Sequence, residues 1–304
     1  MKKIPLGKSL TSSPIALGCM RMAALDDKKA EEVVRVSLEQ GIDLFDHADI
    51  YGGGQSEEIF GRILKRNPGM RDKMILQSKC GICKGYYDAS KEHILEAADG
   101  ILRRLGVEQL DVLLLHRPDA LMQPEEVAEA FHTLHEAGKV RFFGVSNENA
   151  AQLALLDRYM PGKLIINQLQ FGPAHTGIVD EGVNVNIHSD HAIVRDGGVL
   201  DYCRLHDITL QAWSPFQYGM FEGVFFGCDK YAKLNEEVAK LAKAKGVSDS
   251  AIAIAWILRH PAKIQAIIGS MNPERIASIC AAEQVELTRP EWYQLYLAAG
   301  NPLP

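Results

Sequence analysis

Four side chains able to handle protons stand just behind short apolar runs in this sequence. Asp46 follows residues 42–45, Lys79 comes shortly after 74–77, His116 follows 112–115, and Tyr51 lies five residues beyond Asp46. A carboxylate, an ammonium, an imidazole and a phenol gathered at one place would make a proton-transfer site. A lysine so placed could equally form a Schiff base with a carbonyl compound. The later runs end in hydroxyl, amide and aromatic groups: Ser146-Asn147 after 140–145, Gln168 at the end of 164–167, Trp213-Ser214 after 209–212, and Gly269-Ser270 after 265–268. Taken singly each residue has an ordinary reading: Asp46 caps a turn, Lys79 is an exposed loop lysine, His116 is a satisfied core histidine. Their recurrence behind successive runs gives the set its force.

The elements that must position them repeat. Eight apolar runs, 15–17, 42–45, 74–77, 112–115, 140–145, 164–167, 209–212 and 265–268, are short and apolar on both sides, as suits parallel strands buried on both faces. Amphipathic stretches separate them at 28–40, 56–64, 90–105, 124–137, 149–159 and 198–206, then 231–245 and 248–259 before the last run and 273–282 after it. Asp27, Ser90 and Ser248 or Asp249 are placed to open helices. Gly41, Gly106, Gly138 and Gly246 stand where helices end in a left-handed residue. Eight strand–helix units without a strong linker predict one domain over 1–304, a (β/α)8 barrel whose active site lies at the carboxyl ends of its strands. An open doubly wound sheet competes. However, its first turn, Gly18-Cys19-Met20-Arg21, has one glycine, and in Gly52-Gly53-Gly54 the third fingerprint position is Glu57, so neither a dinucleotide fingerprint nor a P-loop is present. Two segments break the repeat. A long polar stretch, 171–200, follows the sixth run, and a tail, 288–304, predicts an added helix over 290–299.

Composition narrows the classes. With 33 Lys+Arg against 39 Asp+Glu and a net charge of −6, the chain lacks the concentrated cations of a nucleic-acid or polybasic membrane binder. Apolar runs such as 251–258 are far shorter than a membrane span of about 20 residues. The first eighteen residues hold no apolar stretch of signal-peptide length, since Pro5, Lys8 and 11–13 interrupt it, and a cytoplasmic protein is expected. Six cysteines in so long a chain do not make a disulfide scaffold. Cys80-Gly81-Ile82-Cys83 has knuckle spacing without a second pair, and His175, His188 and His191 lack a completing cysteine; no metal is expected.

The motifs resemble those of the aldo-keto reductases, over residues 17 to about 280. Phe45-Asp46-His47-Ala48-Asp49-Ile50-Tyr51-Gly52 looks like that family's Asp-and-Tyr signature, and Gln77-Ser78-Lys79 and Leu113-Leu114-Leu115-His116 match its lysine and histidine motifs. Gly144-Val145-Ser146-Asn147, Asn167-Gln168 and Trp213-Ser214-Pro215 are similar to its cofactor-binding segments. Within the family, 184–204 and the tail look most like the bacterial YdhF-like branch of oxidoreductases.

The resemblance implies reduction of an aldehyde or ketone to an alcohol by hydride from NADPH, NAD being the less favoured cofactor. It makes Tyr51 the general acid, with the ammonium of Lys79 favouring phenolate, Asp46 holding that ammonium, and a neutral His116 orienting the substrate oxygen. Trp213 would stack on the nicotinamide, Ser146, Asn147 and Gln168 would bind its carboxamide, and Met20 and Asp46 would line the same site. Ser214, Pro215, Phe216 and Gln217 would cradle the pyrophosphate. Gly269, Ser270, Met271 and Arg275 would hold the adenosine phosphate, Arg275 favouring NADP. Three positions depart from the pattern: Gly269 replaces a common lysine, Ser278-Ile279 a common Glu-Asn pair, and His47 a small residue. Phe171, Tyr218 and Phe221 are candidate pocket-wall aromatics. A small-molecule carbonyl substrate is the expected partner, with no nucleic acid and no membrane; the oligomeric state stays open, a monomer being compatible. A cofactor-binding sensor or regulatory subunit with little turnover is the alternative.

Overall fold

The computed structural model describes residues 1–304. Its first feature is one the sequence pattern did not predict: a hairpin of two three-residue strands, β1 (Ile4–Leu6) and β2 (Leu10–Ser12), antiparallel. So short a pair shows no periodicity. Leu6 at its tip is wholly buried with Ala16, Leu44, Ile75, Val112 and Ile267, and so plugs one end of the barrel.

The barrel is closed and all parallel: β3 (Ile15–Gly18), β4 (Leu44–Asp46), β5 (Ile75–Cys80), β6 (Leu110–Leu115), β7 (Val140–Ser146), β8 (Leu164–Gln170), β9 (Thr209–Trp213) and β10 (Gln265–Ile268), which returns to β3 with Ile267 opposite Ala16. Each of the eight expected runs falls on one of these strands, although Ile42, Asp43 and Met74 come just ahead of β4 and β5. Several strands extend further than their runs, β5 through Lys79 and Cys80 and β8 through Gln170, because their later inward residues are polar yet buried.

Helices α1 (Asp27–Glu39), α2 (Gln55–Arg66), α3 (Lys91–Leu105), α4 (Pro124–Glu136), α5 (Ala150–Tyr159), α6 (Gly177–Val183), α7 (Val199–Leu205), α8 (Ala232–Lys245), α9 (Asp249–Leu258), α10 (Pro273–Cys280) and α11 (Arg289–Ala298) complete the fold. The cap of α1 corrects the expectation for Asp27. Asp26 is the cap, accepting from the Lys29 N–H, and Asp27 instead pairs with Arg62 and Arg66 on α2. Ser90 and Ser248 cap α3 and α9 as expected. Gly61 lets α2 approach α3 closely: a Cβ there would stand 2.4 Å from the Arg104 carbonyl oxygen.

The long polar stretch is not plain loop. It contains α6, a single 3-10 turn over Asp190–Ala192 and the start of α7. The tail helix holds it in place. Trp292 of α11 stacks on Trp256 of α9 at 4.6 Å between rings, each indole N–H donating to the other's carbonyl oxygen at 3.0 Å. Tyr296 donates to Asp180 of α6 at 2.8 Å, while Thr176 donates to the other oxygen of that carboxylate. No helix is long and apolar enough to cross a membrane.

Candidate active site

The turn after β4 aims Tyr51 back toward β5. Gly52, Gly53 and Gly54 have φ of 61°, 65° and 94°, a left-handed run that side chains resist, and a Cβ on Gly52 would meet Ala23 at 2.4 Å. The triple glycine thus serves the turn that presents Tyr51.

Lys79 points into the barrel and has no solvent exposure. Its Nζ donates to Asp46 Oδ2 at 2.8 Å, to the His47 carbonyl oxygen at 2.8 Å and to Tyr51 Oη at 3.2 Å, so all three ammonium protons have acceptors. Burial opposes the charge on Lys79, but Asp46 and then Tyr51 outweigh it and move the ammonium pKa up. Tyr51 departs from expectation. Burial pushes its phenol above the ordinary value, Lys79 opposing only in part, so it stays protonated. His116 directly follows β6, with its ring 6.0 Å from that of Tyr51, edge to face. Its Nδ1 is buried without a partner, and burial, Lys79 and Arg117 drive its pKa down to about 2, leaving the ring neutral.

Behind these groups lies a layer of buried amides, of which sequence reading had singled out only Gln168. Gln77 and Gln168 both donate to Asp46 Oδ1, at 2.6 and 3.2 Å, and both donate to Gln211 Oε1 at 2.8 Å. Gln211 donates in turn to Gln77 and Gln265. Mutual bonds offset the desolvation of these amides and fix the Asp46 carboxylate. A second hidden cluster braces the outer side of β5: Ser78 and Arg104 both donate to the fully buried Glu57, at 2.6 and 2.8 Å. Cross-strand register brings these groups together, and register was not readable from composition or periodicity.

Other expected residues gather at the same end. Ser146 Oγ donates to the Gln168 carbonyl, Asn147 Nδ2 to Ser146 Oγ, and Trp213 Nε1 to Asn147 Oδ1 at 3.2 Å. Gln168 has its amide nitrogen committed to Asp46 and Gln211, which makes it a support for Asp46 as well as a candidate cofactor contact. Asn147 and Ser214 both take left-handed backbone, with φ of 63° and 46°. Met20 is exposed beyond β3. The Pro215 carbonyl oxygen lies 2.2 Å from where a Cβ on Gly172 would stand, so the turns after β8 and β9 meet there. Phe216 packs on Phe226 at 5.4 Å and the Gln217 N–H bonds the Ser214 carbonyl. Gly269 faces open space, and Ser270 and Met271 lead into α10, where Asn272 caps the Arg275 N–H. Arg275 itself is exposed.

The candidate wall aromatics do not all reach the site. Phe171 is core, 5.2 Å from Trp256, Tyr218 packs on Tyr231, and Phe221 is 75% exposed. His47 is wholly buried against Phe60 with neither ring nitrogen partnered, and burial and Lys79 drive its pKa down to about 3. All six cysteines are free; Cys83 Sγ approaches His93 Nε2 at 3.9 Å in the turn after β5.

Known proteins resemble the chain along its whole length. The model of the "Aldo/keto reductase family" matches residues 14–296. Oxidoreductase YdhF of Escherichia coli is 37% identical over 277 residues, covering 88% of this chain and 86% of that protein. A 6-dehydroglucose reductase of Agrobacterium fabrum is 35% identical over 316 residues, 99% of each chain. Among solved structures, an aldo-keto reductase from Klebsiella pneumoniae in complex with NADPH superposes with a TM-score of 0.79 at 25% identity, covering 100% of this chain and 96% of its own.

Proposed function

Since the chain belongs to the aldo/keto reductase family, we propose that it reduces the carbonyl of a small aldehyde or ketone to an alcohol with NADPH. The observation that carries this reading is the buried Lys79 ammonium, held by Asp46 and donating to the Tyr51 phenol at 3.2 Å.

The residues at the strand ends fit a nicotinamide dinucleotide. Trp213 offers a half-buried ring fixed by Asn147, and the main-chain N–H groups of Phe216, Ser270 and Met271 have no acceptor within the chain. Such N–H groups suit phosphate oxygens. Arg275 has no carboxylate partner and stands in the first turn of α10, ready for a 2′-phosphate. When bound, reduced NADP supplies a hydride to the carbonyl carbon.

The chain's own residues handle the oxygen. Tyr51, protonated through neutral pH, gives its phenol proton to the carbonyl oxygen as negative charge develops there. Lys79 stabilises the phenolate that remains, and Asp46 together with the amide layer keeps Lys79 in reach. His116, neutral, orients the carbonyl oxygen beside Tyr51. A binding protein with little turnover has no need of so complete a proton-donor assembly.

NADPH consumption by the purified protein, followed with a panel that includes 4-nitrobenzaldehyde and aldehydes of oxidised sugars, tests the proposal. Turnover with at least one carbonyl is expected. Tight NADPH binding without reduction of any member would favour the sensor reading.

A further inference from the structure

The residue after His116 has a position that the proposed reaction leaves unused. Arg117 is half-buried, with its guanidinium carbon 5.8 Å from the centre of the Trp213 ring and Nη2 3.4 Å from the thioether sulfur of Met220. Other arginines that reach into the fold are neutralised: Arg71, Arg104 and Arg141 each have a carboxylate oxygen at 2.7–2.8 Å. Arg117 has none within 4.0 Å. The acid nearest in sequence, Asp119, is committed elsewhere, accepting from the Ala89 and Leu121 N–H groups.

The Lys79 ammonium is balanced by Asp46, whereas Arg117, next to His116 in the chain, has no carboxylate to balance it. A thioether and a ring face are weak acceptors for a group with five N–H donors in a planar fork. The better ligand for that fork is a carboxylate held by two parallel hydrogen bonds. Trp213 lies at the end of β9 and Met220 in the turn that follows, so the guanidinium is held at the mouth of the barrel. In the sequence, an arginine next to a histidine announces nothing without the ring it lies against.

We infer that Arg117 forms an anion subsite at the mouth of the barrel, and that the preferred substrates are carbonyl compounds carrying a carboxylate at the end away from the reacting carbon. The inference rests on the reductase reading for its substrate sense, and on Arg117 alone for its binding sense.

Two aldehydes with the same ring separate charge from shape: 4-carboxybenzaldehyde and its neutral methyl ester, methyl 4-formylbenzoate. The wild-type protein should prefer the acid in kcat/KM. Arg117→Met should lower kcat/KM for the acid by about 10- to 100-fold, mainly through KM, and that for the ester by less than about 3-fold. Arg117→Lys, which keeps charge but loses the fork, should fall between them. Ester activity also reports that each variant is folded. An equal fall for both aldehydes, or a raised KM for NADPH with no discrimination between them, overturns the subsite. Benzoate binding by calorimetry, which needs no turnover, keeps the two readings apart. If no aldehyde is reduced but benzoate binds the wild type and not Arg117→Met, the reductase reading fails and the subsite stands; if benzoate binds both proteins alike, the subsite falls.

Discussion

Lys79 Nζ and Tyr51 Oη stand 3.2 Å apart, the ammonium wholly buried and the phenol at its edge. Lys79 is the only donor to the phenol within the chain, and its other two protons are fixed by Asp46 and the His47 carbonyl. A proton leaving Tyr51 would therefore leave its charge on an oxygen already facing a cation. Tyr51→Phe removes the proposed donor and little else. It should lower kcat about 100- to 10,000-fold while changing the NADPH dissociation constant by no more than about 2-fold. Single-turnover kinetics and a fluorescence titration measure the two quantities; a variant that keeps its rate would remove Tyr51 from the mechanism.

The pH dependence follows from the same groups. Tyr51 lies above its ordinary value, so its protonated fraction stays full through neutral and mildly alkaline pH. His116 lies at about 2 and is neutral throughout the working range. Neither group titrates between pH 5 and 9, and kcat for reduction should be flat across it. A bend near pH 6 would point to a different proton-controlling group. Asp49, pushed up to about 6 by burial and by Glu57, would be the first to examine.

The barrel was legible because its strands are short apolar runs and several of its helices carry readable caps, such as Ser90 and Ser248. What the sequence hid has a common cause. Gln77, Gln168, Gln211 and Gln265 lie inside the barrel, where a polarity scale expects none, and only strand register shows that they satisfy one another. The same holds for Glu57 with Ser78 and Arg104, and for Arg117 with Trp213, pairs far apart in sequence. Residues in single strand-end motifs were readable one by one; what holds them depends on neighbours that sequence order does not reveal. The β1–β2 hairpin escaped for a simpler reason, since three-residue strands carry no pattern.

The proposed preference for NADPH rests on one exposed residue, Arg275. Arg275 has no ion-pair partner and stands beside the free N–H groups of Ser270 and Met271, while Gly269 offers no charge. If Arg275 holds a 2′-phosphate, Arg275→Ala should raise KM for NADPH about 10-fold or more and leave KM for NADH unchanged, since a charge-assisted pair contributes about 1.5–3 kcal/mol. Equal effects on both cofactors would refute the assignment.

Glu148, next to Asn147, is 1% exposed, and neither carboxyl oxygen has a hydrogen-bond partner. Burial pushes its pKa from 4.5 up to about 7. A folded pKa above the unfolded one means that the neutral form is favoured on folding. Its contribution is complete below about pH 4.5 and is lost as the pH rises through 7. His47 and His116 act in the opposite sense, their depressed values destabilising the fold as the pH falls below 6.5, so the wild-type pH dependence is a mixture. Comparison with Glu148→Gln cancels the histidines, which both proteins share. The amide does not ionise, so the stability of the variant relative to wild type should rise by roughly 2–3 kcal/mol between pH 5 and pH 8. Urea unfolding at the two pH values measures it. A difference that stays constant would mean that Glu148 ionises in the folded protein at its ordinary pKa, with a partner among the groups around it.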